Sequence, residues 1–569
     1  MPRSSHRSPL WTRRRVLGAT AGTAAAAFGA LSLARAASAG SAPTASTPGD
    51  VVGKTTVGYQ GWFACKGDGA PINAWWHWAP DNSRPPAASN SSVKAWPDVR
   101  DYAQTYPTDF NALGNGRQAS LFSSYDQQTV DTHFLWMQQY GIDTAALQRF
   151  NPNKGEGPTR DAMAVRVRGA AETYGRKFYI MYDVSNWTAM QSEIKTDWTN
   201  KMAQHTQSSA YAHQNGKPVV CVWGFGFNDD AHPFSAAACL DVVNWFKDQG
   251  CYVIGGVPTW WRTSPATGDS RAGFSDVYHA FHMLSPWLVG RIGTIADADN
   301  FYTQATVPDL QECAAHGIDY QPCVLPGDVS VRQRVHGDFM WRQFYNMVRA
   351  GVQGIYISMF DEYNEGNQIA KTAESQDWVP AGSGLLALDE DGTACSSDYY
   401  LRLTGDGGRM LKGQLALTTT RPTQPTTSTG SGGTPATTTI SLRARVNGKY
   451  VTAEDAGAQP LIANRDAVGP WERFDQIDLG NGAIALRANA NGRVVCAEDA
   501  GASPLVANRT AVGSWETFQL VRNANGTVSL LTTVNGKYVT ADDSGSSALI
   551  ANRTAIGTWE QFDLVVSAT

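Results

Sequence analysis

The 569-residue sequence contains few cysteines and few charged side chains for its length. Its eight cysteines form no C-x-x-C pair, and its ten histidines form no cluster at the sequence spacing of metal ligands. After the amino-terminal segment, no apolar run approaches the roughly 18 residues that a membrane helix needs. The sequence therefore predicts no metal centre, no other cofactor and no membrane association of the mature chain.

Basic runs are confined to the first 39 residues. Those residues hold six arginines, no lysine and no acidic residue, so their removal brings the net charge from −5 to −11. Acidic proteins without basic patches lack the electrostatic footprint of nucleic-acid binding. We therefore expect no nucleic-acid partner, and we expect the mature protein to be a monomer.

The amino-terminal segment has the pattern of a twin-arginine export signal. "TRRRVLGAT" is followed by an Ala-rich apolar run to Leu33, and Ala37, Ser38 and Ala39 supply an A-x-A cleavage site. Residues 1–39 are therefore predicted to be a signal peptide, and the protein is predicted to be secreted in folded form from a bacterial cell.

A second compositional break divides the mature chain into two modules. Residues 417–439, "ALTTTRPTQPTTSTGSGGTPATT", have almost no large apolar side chain and are predicted to be an extended linker. The predicted domains are residues 40–416 and residues 440–569.

Residues 440–569 contain three similar units. They include "VNGKYVTAEDAGAQPLIANRDAVGPWERF" and two near-copies, and Trp471, Trp515 and Trp559 recur every 44 residues. Each unit begins with Asn-Gly, which favours a hairpin, and is too small to bury an apolar face alone. Three such units predict an all-β trefoil that resembles the fascin-like trefoils of secreted carbohydrases.

The acidic pairs of the repeats are the candidate sugar contacts of this module. They lie in predicted turns, and a carboxylate can accept two hydroxyl hydrogen bonds from a pyranose. We predict that Asp455, Asp499 and Asp543 bind carbohydrate and that the repeated tryptophans are structural. Three copies would provide avidity on a polymer.

Residues 40–416 have the pattern of a (β/α)8 barrel. Eight β-like runs, from "TTVGYQGWF" to "GVQGIYISMFDE", alternate with segments such as "TRDAMAVRVRGAAETYG" that are amphipathic at helical spacing. Such barrels carry their chemistry at the carboxyl ends of the strands. Arg149, Asp183, Trp260 and Trp261 follow predicted strands and are therefore candidate substrate contacts. "WWHW" at residues 75–78 adds Trp78 as a stacking candidate, although core packing is the commoner role of tryptophan.

The last predicted strand ends in three carboxylates. "YISMFDEYNEGNQIAK" places Asp361, Glu362 and Glu365 directly after an apolar run. Like charges held close together repel, and two carboxylates in different environments are what glycosidic cleavage requires. We therefore predict that Glu362 and Glu365 are catalytic.

Several motifs give this module a specific resemblance. "MFDEYNEGNQI" resembles the F-N-E-W-H-E-G-T-Q-I motif of glycoside hydrolase family 99, the endo-α-mannosidases, and of family 71/99-like relatives loosely termed xylosidase/arabinosidase. "YQGWF", "GID", "MYD" and "GDFMWRQ" also match, over roughly residues 55–375. Asp361, Tyr363 and Asn364 replace the Asn, Trp and His of the family. The resemblance adds Tyr59, Gln60 and Tyr363 as substrate-binding candidates.

The resemblance implies a retaining glycoside hydrolase acting on an α-linked glycan. In that family the first glutamate deprotonates the 2-hydroxyl of the substrate, and the second acts as acid and base; these positions correspond to Glu362 and Glu365. An ordinary mechanism with one glutamate as nucleophile stays open from the residues. The similarity of family 71 keeps α-1,3-glucan open as a substrate. The other class considered is a polysaccharide-binding protein with a non-catalytic barrel.

Overall fold

The computed structural model describes residues 46–263, 268–426, 438–480, 483–509, 512–523 and 525–566. The predicted export signal lies outside these residues. The chain divides into two compact units. The first comprises the described residues up to Leu135, Ile142–Thr393 and Tyr400–Thr423; the second comprises Trp136–Gly141, Ala394–Tyr399 and the described residues from Gln424. Within the described ranges, no helix is both long and apolar enough to cross a membrane.

The first unit contains twelve strands in its described residues. They are β1 (Thr55–Tyr59), β2 (Tyr106–Pro107), β3 (Ser120–Leu121), β4 (Thr144–Arg149), β5 (Lys177–Asp183), β6 (His213–Gln214), β7 (Lys217–Trp223), β8 (Tyr252–Val257), β9 (Met283–Pro286), β10 (Asp319–Tyr320), β11 (Cys323–Val324) and β12 (Ile355–Ile357). Nine of them form a parallel sheet in the order β10-β9-β8-β7-β5-β4-β1-β12-β11. Strands β4 and β8 are buried along their whole length, as expected where helices cover a parallel sheet.

Residues 319–324 join the two ends of this strand order. Asp319 in β10 pairs with Met283 in β9, and Cys323 in β11 pairs with Tyr356 in β12. Because only two residues separate β10 from β11, the sheet curls back on itself. The α/β class that the sequence predicts for this unit is therefore confirmed, and the curled parallel sheet fits a TIM-like domain, the coarser form of the predicted (β/α)8 barrel.

The sixth strand differs from its predicted position. The sequence predicts it in "WLVGRIGTI", residues 287–295, whereas the structure places β9 immediately upstream at Met283–Pro286. Ile254 and Val257 of β8 pair with Met283 and Pro286. The apolar residues after Pro286 continue past the strand end, and apolar content alone does not separate the two segments.

Nine α-helices lie in the described residues of the chain. They are α1 (Gln127–Gln139), α2 (Gly157–Tyr174), α3 (Met190–Asp197), α4 (Ala236–Asp248), α5 (Ser275–Ala280), α6 (Ile295–Phe301), α7 (Val307–His316), α8 (Asp338–Ala350) and α9 (Tyr399–Leu411). Helices α2, α4 and α8 match the segments that the sequence predicts to be amphipathic helices, "TRDAMAVRVRGAAETYG", "AACLDVVNWFKDQG" and "FMWRQFYNMVRAG". Helices α2 and α8 both end on a left-handed glycine, Gly175 and Gly351, whose N–H groups close the last turn.

The start of the predicted linker packs on the first unit. The Trp341 indole N–H donates to the Thr418 carbonyl at 3.1 Å, and Arg421 Nε donates to Asp338 Oδ1 at 2.8 Å. Thr423 Oγ1 donates to Asp406 Oδ2 at 2.7 Å. Polar contacts therefore hold residues 418–423, which composition alone assigns to an extended spacer. Residues 427–437 lie outside the described part of the chain.

In the described residues of the second unit, twelve strands form one sheet. They are β13 (Thr438–Ala444), β14 (Tyr450–Ala453), β15 (Leu461–Arg465), β16 (Phe474–Gly480), β17 (Ala483–Ala488), β18 (Val494–Ala497), β19 (Leu505–Arg509), β20 (Phe518–Arg522), β21 (Val528–Thr532), β22 (Tyr538–Ala541), β23 (Leu549–Arg553) and β24 (Phe562–Val566). Six strands pair antiparallel in a closed ring, β13-β16-β17-β20-β21-β24 and back to β13. The hairpins β14-β15, β18-β19 and β22-β23 accompany this ring, and the arrangement fits the β-trefoil that the sequence predicts.

One apolar core serves all three repeats of this unit. Equivalent residues from each repeat, such as Phe474, Phe518 and Phe562, are completely buried in a single cluster. Leu461, which is buried in the same cluster, has its counterparts in the other two hairpins. Sharing a core compensates for the small size of each repeat, as the repeat pattern predicts.

Candidate active site

The loop after β12 carries the three acidic residues. The Glu365 N–H donates to the Glu362 carbonyl at 3.2 Å, and the Asn367 N–H donates to the same carbonyl at 3.3 Å. This tight turn holds both glutamates at the carboxyl end of β12, the last strand of the parallel sheet in chain order. Glu362 is 6% exposed, whereas Glu365 is exposed. The two carboxylates therefore occupy different environments within one turn.

Asp361 connects this loop to the loop after β1. Its two carboxylate oxygens accept the backbone N–H groups of Gln60 and Gly61, each at 2.8 Å. Burial raises the pKa of Asp361 to about 6, and the two backbone donors and Arg160 act in the opposite direction. Asp361 thus ties the start of the glutamate turn to the backbone of the loop after β1.

Gln60 contacts a predicted catalytic group directly. Its side-chain Nε2 donates to Glu362 Oε1 at 3.1 Å, and its side chain is buried. The neighbouring Tyr59 is also buried, and its hydroxyl lies 2.9 Å from His133 Nδ1. Gln60 is therefore placed to orient Glu362, whereas the ring of Tyr59 belongs to the core. Substrate contact by either residue stays a prediction.

Trp78 and Tyr363 pack together in the interior. Trp78 stacks on Phe63 with ring centroids 3.9 Å apart, and its indole N–H donates to the Phe122 carbonyl at 3.0 Å. The Tyr363 ring lies 6.2 Å from Trp78, and its hydroxyl donates to the Lys371 carbonyl at 2.9 Å. Because both rings are buried, these contacts account for them as packing residues.

Arg149 forms a buried ion-pair network at the end of β4. Its guanidinium contacts both oxygens of Asp197 at 2.5 Å and Asp161 Oδ1 at 2.7 Å. The Tyr182 hydroxyl donates to Asp197 Oδ2 at 2.9 Å. The charge of Arg149 is therefore matched by protein carboxylates, although its strand-end position led the sequence to predict a substrate contact.

Asp183, at the end of β5, is a partly buried carboxylate. Its Oδ1 accepts the Ser185 N–H at 2.9 Å. Burial raises the pKa of Asp183, and the hydrogen bonds from Ser185 oppose that shift. Asp183 therefore keeps the features of a candidate polar contact at the strand ends.

Trp260 and Trp261 follow β8 and differ in exposure. Trp261 is buried, and its indole N–H donates to Asp309 Oδ2 at 3.1 Å. Trp260 is partly exposed, with its ring centroid 5.6 Å from that of Phe301. Trp260 is the one of this pair whose ring has a solvent-facing surface.

A stack of aromatic rings that the sequence does not predict as a site begins next to Gly61, whose backbone N–H donates to Asp361. Trp62 follows Gly61, and its ring stacks on His77 at 3.7 Å and on Phe150 at 5.4 Å. Trp62 and His77 are partly exposed, and burial lowers the pKa of His77 to about 3, so the imidazole is neutral. The tryptophan within "YQGWF" was the available sequence signal for this platform.

Two further tryptophans meet at the carboxyl ends of strands in the parallel sheet. Trp223 ends β7, Trp287 follows β9, and their rings meet edge-to-face at 5.3 Å around a small cavity that Tyr356 and Cys323 also line. Both indole nitrogens are buried, and neither has a hydrogen-bond partner among the described residues. Buried N–H groups are normally satisfied, so these two are available to a ligand hydroxyl. Sequence reasoning missed them because they lie in ordinary apolar runs.

The trefoil repeats place each predicted sugar-binding aspartate in the same way. Asp455, Asp499 and Asp543 are exposed and have φ values of 50°, 52° and 48°. In the first repeat the preceding Glu454 accepts from Asn464 at 2.6 Å and Arg465 at 2.8 Å. The second carboxylate of each acidic pair therefore faces solvent, while the first belongs to a polar cluster of its own repeat.

Away from the glutamate turn, one group of side chains in the described residues has a geometry that could hold a metal ion. His279, Glu312 and His316 offer ligand atoms that all lie within 4.8 Å of one another. They belong to α5 and α7 and not to the glutamate turn.

Three comparisons relate the chain to known proteins. No protein-family model and no curated protein matches it. Among solved structures, the GH99 endo-alpha-mannosidase from Bacteroides thetaiotaomicron is 15% identical, with 64% of this chain and 98% of that chain covered and a TM-score of 0.44. Its complex with bis-tris-propane gives 16% identity, the same coverage and a TM-score of 0.43. The designed three-fold symmetric protein ThreeFoil covers 22% of this chain and 97% of its own, with 24% identity and a TM-score of 0.21.

Proposed function

We propose that the protein is a glycoside hydrolase that cleaves an α-linked glycan. This proposal rests mainly on the turn after β12. In that turn Glu362 is buried and accepts a hydrogen bond from Gln60, whereas Glu365, three residues later, is exposed. Two carboxylates in unlike environments can divide base and acid roles between them. The sequence resemblance of "MFDEYNEGNQI" to the family 99 motif supports the same assignment independently.

In the proposed reaction the substrate supplies its own nucleophile. Glu362 removes the proton of the 2-hydroxyl, and that oxygen attacks the anomeric carbon as the glycosidic bond breaks. Glu365 donates a proton to the leaving oxygen. Glu365 then removes a proton from water, which opens the epoxide-like intermediate, and Glu362 returns the proton to the 2-oxygen. Anomeric configuration is retained because each of the two displacements inverts the anomeric carbon.

Each neighbouring group has a defined task in this proposal. The amide of Gln60 donates to one oxygen of Glu362 and so orients the carboxylate towards its task as base. Trp62 and Trp260 provide partly exposed aromatic faces, and Asp183 provides an acceptor for hydroxyls. Exposure of Glu365 gives water access for the second step. No cofactor takes part in this scheme.

The primary test is turnover on a panel of polymers. We expect reducing ends to be released from α-mannan or α-1,3-glucan and not from β-linked xylan, with the products sized by chromatography. Glu365→Gln should lower turnover by about 100-fold or more, because leaving-group protonation is lost. An activated aryl leaving group should restore part of it. Glu172→Gln, an exposed carboxylate on α2, is the matched control and should retain full activity.

The opposite result would identify the runner-up function. Glycan binding by the wild type with no turnover on any polymer would indicate a polysaccharide-binding protein with a non-catalytic barrel. Natural-substrate activity in Glu365→Gln that equals that of the control would reject the assignment of the acid.

A second experiment separates the two retaining mechanisms. Through the proposed route, a substrate lacking the 2-hydroxyl should not react. With Glu362 as a direct nucleophile, that substrate would turn over slowly, and a 2-fluoro sugar would trap a glycosyl-enzyme. A covalent sugar on Glu362 in a mass spectrum would reject the epoxide route.

The trefoil unit is proposed to hold the enzyme on polymeric substrate after secretion. The triple variant of Asp455, Asp499 and Asp543 to Ala should keep its rate on soluble oligosaccharide and lose sedimentation with insoluble glycan. Equal sedimentation of the variant and the wild type would place the sugar contacts elsewhere. Secretion itself is tested by replacing Arg14 and Arg15 with Lys, which should retain the protein in the cytoplasm.

A further inference from the structure

A cluster of two histidines and one glutamate lies on helices α5 and α7, away from the glutamate turn. Helix α5 carries His279 one residue before its end, and helix α7 carries Glu312 and ends on His316. His279 Nε2 lies 3.1 Å from Glu312 Oε1, and His316 Nε2 lies 3.4 Å from the same oxygen. Two imidazole nitrogens and one carboxylate oxygen thus converge from two separate helices.

These separations match a metal coordination sphere. Zinc binds imidazole nitrogen at about 2.0–2.1 Å and carboxylate oxygen at about 2.0–2.2 Å, usually in a tetrahedron. Ligand atoms on neighbouring corners of such a tetrahedron are about 3.3–3.4 Å apart. The distances of 3.1 and 3.4 Å therefore require little contraction or expansion around an ion.

The helix ends favour a cation at this place. His279 and His316 both lie in the last turn of their helices, where backbone carbonyls carry partial negative charge. The carboxylate of Glu312 adds a negative charge beside the Nε2 atoms of both rings. The two rings stack, with centroids 3.6 Å apart and planes 14° apart. Coordination needs a rotation of one ring, and His316 is 42% exposed and has room to turn.

The buried sides of both helices hold these ligands in place. Tyr278 on α5 and Cys313 on α7 are buried, and Trp261 contacts the rings of Tyr278 and His279 at 5.8 and 6.3 Å. The backbone positions of the ligands are therefore set by the core. Only side-chain rotation separates the described arrangement from a closed site.

We propose that His279, Glu312 and His316 form a binding site for a divalent transition-metal ion of the zinc or nickel class. Two imidazoles and one carboxylate suit such ions and leave a position for water. The ligands are 33 and 4 residues apart in sequence, which explains why no local motif reveals them.

The location indicates a structural role for the ion. His279 is followed four residues later by the first residue of β9, and His316 three residues later by that of β10. Both ligands therefore lie at the amino-terminal side of the barrel strands, opposite the glutamate turn. In such barrels this face carries stability and not chemistry. The ion ties α5 to α7 and does not take part in the proposed hydrolysis.

The test titrates full-length protein without a histidine tag with Zn²⁺ and Ni²⁺ by calorimetry. We expect one equivalent to bind saturably and Mg²⁺ and Ca²⁺ not to bind, because they prefer oxygen ligands. His279→Ala, His316→Ala and Glu312→Gln should each weaken binding about 10-fold or more, and His213→Ala, which removes a histidine outside the cluster, should not. The metal should raise the melting temperature of the wild type and of His213→Ala.

Two results would overturn the proposal. One is the absence of saturable Zn²⁺ or Ni²⁺ binding by the wild type. The other is equal affinity in the wild type and in the double variant His279→Ala/His316→Ala, which would place the ion elsewhere. If the double variant does not fold, Glu312→Gln decides the question, because its partly exposed amide preserves the shape of the side chain. A d–d absorption spectrum of bound Co²⁺ that is lost in Glu312→Gln would support the site.

Discussion

Arg149 and Asp197 form a buried ion pair in which the guanidinium contacts both carboxylate oxygens at 2.5 Å. Both side chains are only 2% exposed. Removing one partner of such a pair leaves an uncompensated buried charge. Arg149→Met should therefore lower the free energy of unfolding by about 3–5 kcal/mol.

Urea unfolding followed by tryptophan fluorescence measures this effect. Arg168→Met is the matched control, because Arg168 and Glu172 form an exposed pair at 4.0 Å. The control should change stability by less than about 1 kcal/mol. If Arg149→Met is as stable as its control and instead raises KM, Arg149 binds substrate as the sequence predicts.

Gln60 is expected to act by positioning Glu362. Gln60→Leu removes the amide that donates to Glu362 Oε1 but keeps the backbone N–H that Asp361 accepts. Displacement of a catalytic group by about 1 Å can cost on the order of 100-fold in rate. We expect kcat to fall by about that factor with little change in KM.

Steady-state kinetics on the polymer identified by the screen tests this expectation. Gln376→Leu, an exposed glutamine in the same unit, controls for loss of an amide and should retain its rate. A rise in KM at unchanged kcat would instead make Gln60 a substrate ligand.

Asp361 should make stability depend on pH between about 4 and 6. Burial raises its pKa from 3.8 in the unfolded chain to about 6 in the folded protein. The folded state consequently holds the proton more tightly, so this stabilising contribution is present below pH 4 and is lost as pH rises through 6. The shift of about two pKa units corresponds to about 3 kcal/mol.

Asp361→Asn should flatten that part of the profile. Chemical denaturation of both proteins at intervals from pH 4 to pH 7 gives the difference curve, from which other titrating groups cancel. Identical slopes for the two proteins would show that Asp361 is ionised throughout, held by the N–H groups of Gln60 and Gly61.

Trp223 offers a buried N–H that no described residue accepts. Trp223→Phe removes this donor together with part of the ring. Trp187→Phe loses a similar volume, but it also loses a hydrogen bond of 2.5 Å to Glu193. The Trp223 variant should therefore be more stable than the Trp187 variant by about 1–3 kcal/mol.

We expect KM to be affected more in the Trp223 variant than in the Trp187 variant, although the Trp187 variant loses more stability. If the indole of Trp223 binds a sugar hydroxyl, its loss raises KM, whereas Trp187→Phe leaves KM unchanged. Thermal unfolding and substrate titration of the two variants provide both measurements. Unchanged KM in both variants would remove Trp223 from the candidate site.

Much of the fold follows from local sequence pattern. The buried strands are apolar runs, and helices α2 and α8 end where glycine follows an amphipathic segment. The sixth strand could not be placed, because residues 283–286 and 287–295 both contain large apolar side chains and only pairing with β8 distinguishes them. Strand pairing is a long-range property that a single sequence does not display.

The candidate site was predictable only in part for a related reason. Glu362 and Glu365 are recognisable because all their information lies within one short segment. Arg149 carries no sign that Asp197, 48 residues later, neutralises it. Tyr59 and Trp78 carry no sign of which way their rings point. The indoles of Trp223 and Trp287 become candidates only from the structure, in which their buried N–H groups have no hydrogen-bond acceptor among the described residues.

The ring closure of the trefoil unit, in which β13 pairs with β24, has a consequence for evolution and engineering. Because the first and last strands are neighbours, the module has no intrinsic starting point, and a circular permutant beginning at β17 should form the same ring. Recombination between repeats is different. Deleting one 44-residue copy removes four strands and leaves two unpaired sheet edges, which invite association with another chain. Selection should therefore tolerate permutation of this module and eliminate loss of a single copy.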